Sequence, residues 1–132
     1  MADFPFISKF GKITYSNPAE AFVRHHTYIV LKSNNEIICI YRRADELYAL
    51  PTPEDLQIKG ALSGEFTTLS YLTENNHQIK EEQTYLIYNV KKDELPDASF
   101  QWCRIEDILL NKIAFDLTQL VGVKNLIVRS KE

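Results

Sequence analysis

Apolar positions along the chain fall into runs with either strand or helix spacing. Residues 27–33, Thr-Tyr-Ile-Val-Leu-Lys-Ser, are rich in β-branched and aromatic side chains. They stop at Asn34-Asn35, a pair that tolerates positive φ, so they are predicted to form a strand. Residues 36–43 are predicted as its hairpin partner. The run from Ile37 to Tyr41 is continuously apolar, which predicts a strand covered on both faces and a sheet lying between helices. Asn17-Pro18-Ala19-Glu20 has the form of a short helix start, because Asn caps and Pro fits the first turn. Residues 44–60 are predicted as loop, with an extended piece at 47–50 and an irregular turn fixed by Pro51-Thr52-Pro53.

The spacing of Leu62, Phe66, Leu69 and Leu72 predicts an amphipathic helix over 62–74. Ser63 would be its N-cap, Glu65 would stand in its first turn, and Asn75-Asn76 would end it. Strands are predicted at 84–91 and 100–104, and a helix at 105–110. A longer helix is predicted within 113–128, with Ile113, Leu117, Leu120, Val121 and Leu126 as its apolar face. This order of elements indicates an α/β domain.

The chain has 132 residues, and domains run to roughly 100–200 residues, so 1–132 is expected to be a single domain. Residues 1–26 are expected to form an N-terminal lead-in anchored by Phe4 and Phe6. The formal charge of −3 lacks the dense basic face that a nucleic-acid partner requires. No apolar run approaches the ~20 residues of a membrane helix, and residues 1–10 lack the layout of a signal peptide. Cys39 and Cys103 form no Cys-x-x-Cys pair and are expected to be reduced thiols. Together these features predict a cytoplasmic protein with no nucleic-acid or membrane partner. His25, His26 and His77 do not stand at metal-ligand spacing. Nucleophile-elbow, phosphate-loop and dinucleotide-binding motifs do not occur.

Phe10-Gly11, Tyr15, Arg24 through Leu31, Ile37 to Arg43 and Tyr48-Ala49-Leu50-Pro51 together resemble the front half of a Nudix hydrolase domain. Tyr85-Leu86-Ile87-Tyr88 resembles the next strand of that family. Phe100-Gln101-Trp102-Cys103-Arg104-Ile105-Glu106-Asp107-Ile108 resembles its Trp-containing strand and the start of its final helix. The resemblance covers most of the chain. It implies a Nudix-like α/β/α sandwich with a mixed sheet, and a dimer, which that family often forms.

The family's specific motif is the Nudix box, Gly-x5-Glu-x7-Arg-Glu-U-x-Glu-Glu-x-Gly-U, where U is a bulky apolar residue. Its loop–helix–loop presents glutamates to divalent metals on a diphosphate. Here Thr52 and Pro53 stand where its preceding glycines belong, and Lys59 falls at the first box Glu. Thr67 and Thr68 fall at the Arg-Glu pair, and Tyr71 and Leu72 at the Glu-Glu pair. Only Leu69 keeps its chemical type. At Tyr71, a ring could fill the lost metal cavity.

Mg²⁺ on a diphosphate needs several converging carboxylate oxygens. Residues 61–74 hold only Glu65 and Glu74. On a helix, with ~100° per residue, these project from opposite faces about 13.5 Å apart. Glu81 and Glu82, adjacent and extended, would also point apart. Three readings remain. The first is a non-catalytic module that binds a nucleotide-like small molecule or a protein and needs no cofactor. Its candidate ligand-binding residues are Arg42 and Arg43 as phosphate donors, Tyr48 as a stacking platform, and Arg24 in a second basic patch with His25 and His26. The second is a Mg²⁺-dependent hydrolase of a nucleoside diphosphate derivative with relocated carboxylates at Glu54, Asp55 and Glu65. The third is an unrelated α/β fold.

Overall fold

Pairing between distant segments organises the chain. The computed structural model describes residues 3–56, 58, 61–92 and 95–130. Its strands are β1 (Phe4–Ile7), β2 (Ile13–Ser16), β3 (Phe22–Ser33), β4 (Glu36–Arg42), β5 (Leu47–Ala49), β6 (Gly64–Glu74), β7 (His77–Asn89) and β8 (Phe100–Arg104). Helices α1 (Ile105–Leu109) and α2 (Leu120–Ser130) follow. The strands form one sheet in the order β2-β1-β6-β7-β3-β4-β5, and β8 also pairs with β4. The sheet is mixed. β7 runs parallel to β3 and β1 parallel to β6, and the other pairs are antiparallel. Among the described residues, no helix is long and apolar enough to cross a membrane.

The helix expected over 62–74 is instead strand β6. It pairs with β7 from Gly64↔Ile87 to Glu74↔His77. Asn75 and Asn76 take φ of 50° and 63°, which closes a two-residue hairpin rather than capping a helix. Thr67, Thr68 and Thr73, with Phe66 and Tyr71, suit a pleated surface better than a helix. Phe66, Ser70 and Leu72 point inward, whereas Leu69, counted on the helical stripe, is 50% exposed.

Residues expected to lead in to the domain instead build part of it. β1 and β2 form a hairpin that joins β6 through Ile7↔Leu72. Asn17 does cap a short 3-10 turn at Pro18–Glu20, with its side chain accepting from Ala19 N at 3.0 Å. Ile37, Ile38 and Cys39 are all buried, as a doubly covered strand requires. Both cysteines are buried and unbridged.

One core lies between the inner sheet face and the two helices. Tyr28, Val30, Phe66 and Tyr85 meet Ile105, Ile108, Val123 and Leu126 there. Burying each such side chain stabilises the fold by about 1.5–3 kcal/mol. α2 occupies the later part of the predicted stretch and runs on to Ser130, with Gly122 inside it. A Cβ at Gly122 would stand 2.0 Å from Tyr85 Cζ, so only glycine lets the helix approach that ring.

Candidate functional site

β3 and β4 share only the pairs Lys32↔Ile37 and Ser33↔Glu36 before they separate. β3 instead follows β7, from Phe22↔Ile79 to Lys32↔Asn89, while β4 turns away with β5. The gap is partly closed where Ile29 N donates to Pro51 O at 2.8 Å. Beyond that bond it opens into a cleft of about 320 Å³, walled by Arg24, His26 and Tyr28 on one side and by Arg42 and Leu50 on the other. The segment after Phe115 closes its base, with Leu50 N donating to Gln119 Oε1 at 2.7 Å.

The strand period places polar groups inside the fold. Residues 79, 81, 83 and 85 of β7 all face inward, and Glu81 is only 1% exposed. Its carboxylate accepts from Arg24 Nε at 2.6 Å, Tyr28 OH at 3.1 Å and Gln83 Nε2 at 2.9 Å. Gln83 Nε2 also donates to Thr118 O at 2.9 Å. Gln83 Oε1 accepts from Tyr85 OH at 2.6 Å and from the Thr68 and Ser70 hydroxyls at 3.3 Å. Arg24 Nη2 reaches Glu74 at 3.0 Å. Burial alone would lower the Arg24 pKa, but its bonds to Glu74 and Glu81 raise it above the usual value. The bond from Arg24 holds Glu74 below the usual carboxylate range. Burial, with the Glu81 charge, pushes Tyr28 up, and burial chiefly does the same to Tyr85, so both hydroxyls remain donors. Four rings stack through this region: His26 on Tyr28 at 4.6 Å, Tyr28 on Tyr85 at 5.3 Å and Tyr85 on Phe66 at 4.9 Å.

A second polar set centres on Asp116, which is 4% exposed. It accepts from Arg42 Nη2 at 2.6 Å, Thr118 N at 2.9 Å and Thr118 Oγ1 at 2.5 Å. Arg42 Nε lies 3.2 Å from Asp45 Oδ2, and Lys9 Nζ donates to Asp45 Oδ1 at 2.5 Å. The bond from Lys9, aided by Arg42, lowers the Asp45 pKa.

Of the sequence-derived ligand candidates, Arg24 and Arg42 line the cleft. Arg43 is exposed outside it. Tyr48 is turned away: its hydroxyl donates to Gln101 at 2.8 Å, its ring packs on Tyr41, and its backbone is bonded to Ala114 and Asp116. Tyr71 packs against Phe4 and Phe6. His25 points outward beside Glu82, at 3.7 Å.

The carboxylates considered for a relocated metal site are dispersed. Asp55 lines the cleft and accepts from Thr52 N at 2.9 Å and Thr52 Oγ1 at 3.0 Å. Glu54 lines a neighbouring cavity beside His26. Glu65 is exposed on β6. On a strand, Glu65 and Glu74 are separated by about 30 Å and face opposite ways. Among the described residues, no group of three or more His, Cys, Asp or Glu side chains is placed to hold a metal ion. Glu81 and Glu82 do point apart, one buried and one exposed.

Glu81, Gln83 and Asp116 were not singled out from the sequence as site residues. The signal for the first two was strand alternation with Ile79 and Tyr85, visible only if the strand starts at 77 rather than 84. Asp116 carries a local signal, an acceptor placed two residues before Thr118 at a helical start.

No protein-family model matches the chain, and no curated protein matches it in sequence. Solved structures do match. The Ap4A hydrolase of C. elegans aligns with 81% of this chain and 98% of its own, at 14% identity and a TM-score of 0.52. The fold is Nudix-like. RenU, a Nudix hydrolase from M. smegmatis, aligns with 96% of this chain and 95% of its own, at 8% identity and a TM-score of 0.48. The mixed-sheet α/β class expected from the sequence is therefore the one observed. Within this Nudix-like fold, the stretch between β5 and β6 starts with a turn, in which Asp55 N and Leu56 N both donate to Thr52 O. Its described residues contain no helix. Lys59, aligned with the first box Glu, lies outside the described residues.

Proposed function

We propose that this chain is a non-catalytic module that binds a nucleotide derivative in the cleft between β3 and β4–β5. One observation carries the reading. Asp55, Glu74 and Asp116 all line the cleft, and each is already engaged, by Thr52, Arg24 and Arg42 respectively. Carboxylates committed in this way are poor metal ligands, because a divalent ion would have to displace a guanidinium from Glu74 and Asp116 and the Thr52 amide and hydroxyl from Asp55 before coordinating.

The arginines keep binding capacity. A guanidinium carries five N–H donors, and Arg42, with Nε 3.2 Å from Asp45, spends Nη2 on Asp116. That bond fixes the plane of the group, so little further order is lost when a phosphate accepts from its remaining donors. The ligand class is the one the Nudix resemblance implies.

Thermal melting tests this reading. ADP should raise the melting temperature, as any ligand selective for the native state does. Millimolar Mg²⁺ alone should not. A shift with Mg²⁺ alone that disappears in Asp55→Asn would replace the proposal with the hydrolase reading.

A further inference from the structure

A second and larger cavity adjoins the cleft. It measures about 520 Å³ and shares Arg42, Glu74, Asp116 and Thr118 with it as walls. Its outer wall is the turn between β1 and β2, a segment with no assigned role in the cleft. This turn is rigidly held. Ser8 N donates to Lys12 O, Gly11 N to Ser8 O, and Leu117 N to Lys9 O, at 2.9, 2.9 and 3.1 Å. Gly11 has φ +92°, and a Cβ there would meet Leu117 Cδ1 at 2.8 Å.

The turn presents Phe10, which is 63% exposed and forms part of the cavity wall. Lys9 Nζ lies 5.6 Å from the ring centroid. Lys12 lines the same cavity and, among the described residues, has no carboxylate partner. A further wall, Thr73, holds a buried hydroxyl without a hydrogen-bond partner. Leaving such a group unmet is unfavourable, a deficit that a polar ligand or water can relieve. An aromatic face on a fixed turn, a free ammonium and an unmet hydroxyl around one cavity, whose carboxylates Asp45, Glu74 and Asp116 are already paired with Lys9, Arg24 and Arg42, fit a ligand that is part ring and part anion.

We infer that the base of the bound nucleotide stacks on Phe10 in this cavity, while its phosphates lie between Lys12 and Arg42, the wall that the cavity shares with the cleft. This inference rests on the binding role proposed above. It adds the β1–β2 turn as the base-recognising wall, in place of Tyr48.

Titration calorimetry on the full chain, with ADP and with pyrophosphate, tests it. Phe10 is exposed, so Phe10→Ala should fold as the parent does. It should weaken ADP by about 5- to 150-fold, the span that stacking one base is worth, and leave pyrophosphate unchanged. Phe10→Trp should retain ADP binding, and Lys12→Ala should weaken both probes. An unchanged ADP affinity in Phe10→Ala overturns the subsite but leaves the cleft reading standing. Equal losses for both probes also overturn it, because they would mean that Phe10 acts on the fold and not on the base. A change only in oligomeric state would assign Phe10 to a contact between copies and likewise overturn it. If the parent binds neither ADP nor pyrophosphate, the cleft reading fails as well.

Discussion

Arg42 Nη2 lies 2.6 Å from Asp116 Oδ2, although 74 positions separate the two residues in the chain. The bond ties the end of β4 to the segment that closes the base of the cleft. Asp116 also accepts from Thr118 N and Oγ1, so both of its oxygens are engaged within the protein. Replacing it leaves Arg42 Nη2 and an N-terminal cap unsatisfied together. Asp116→Ala should therefore cost about 3 kcal/mol in urea unfolding, the lower end for breaking a buried pair, because Arg42 is partly solvated. A loss below about 0.5 kcal/mol would reduce the pair to a surface contact.

Gly122 makes a sharper packing prediction. Alanine is favoured over glycine inside a helix by about 1 kcal/mol, yet the added Cβ would collide with Tyr85. Tyr85 is fully buried and held by Gln83, so it cannot swing aside cheaply. Gly122→Ala should destabilise by about 1–3 kcal/mol net, as overpacking does. Gly64→Ala, with nothing within 4 Å of the new Cβ, is the control and should not lower the melting temperature. Equal melting temperatures for the two variants would contradict the close approach of α2 to the sheet.

Acid should loosen the site through two carboxylates. Glu74 and Asp45 have folded-state pKa values below their ordinary ones, held there by Arg24 and by Lys9 respectively. A depressed carboxylate contributes stability that is fully present above its unfolded value of roughly 4. That contribution is lost as pH falls through the lower folded value. The parent should therefore lose stability below about pH 4 more steeply than Glu74→Gln or Asp45→Asn. Identical acid profiles would mean that these carboxylates are not held by their cations.

The two neighbouring arginines should separate in a binding experiment. Arg42 lines both cavities, whereas Arg43 is exposed outside the cleft. Arg42→Lys keeps the charge and loses the planar fork. It should weaken ADP by about 1.5–3 kcal/mol, the range for a charged hydrogen bond. Arg43→Ala should leave the affinity unchanged. The reverse result would move the phosphate site to the outer end of β4.

How much of this was legible in the chain depends on whether the deciding contacts are local. The strands at 27–33, 36–43, 84–91 and 100–104 and the helix after Arg104 follow from local pattern, as does the Asn17 cap. β6 does not. Two of its inward positions are Thr68 and Ser70, whose hydroxyls bond Gln83 on β7. Polar residues on the buried face erased the alternation and left Leu62, Phe66, Leu69 and Leu72 to imitate a helix. The same difficulty hid half of the site. Arg24 and Arg42 were visible as basic residues on strands, but their partners Glu81 and Asp116 are buried acids whose burial only the folded sheet explains. Tyr48 reads as an accessible loop ring in the sequence, and its bond to Gln101, 53 positions away, turns it elsewhere.

The central claim is that the carboxylates of the cleft are committed to protein partners and do no metal chemistry. Product release from a panel of nucleoside diphosphate derivatives, incubated with folded protein and millimolar Mg²⁺, tests it most directly. The account predicts the same background rate with and without the protein. A Mg²⁺-dependent turnover that falls to background in Asp55→Asn or Glu65→Gln would contradict it.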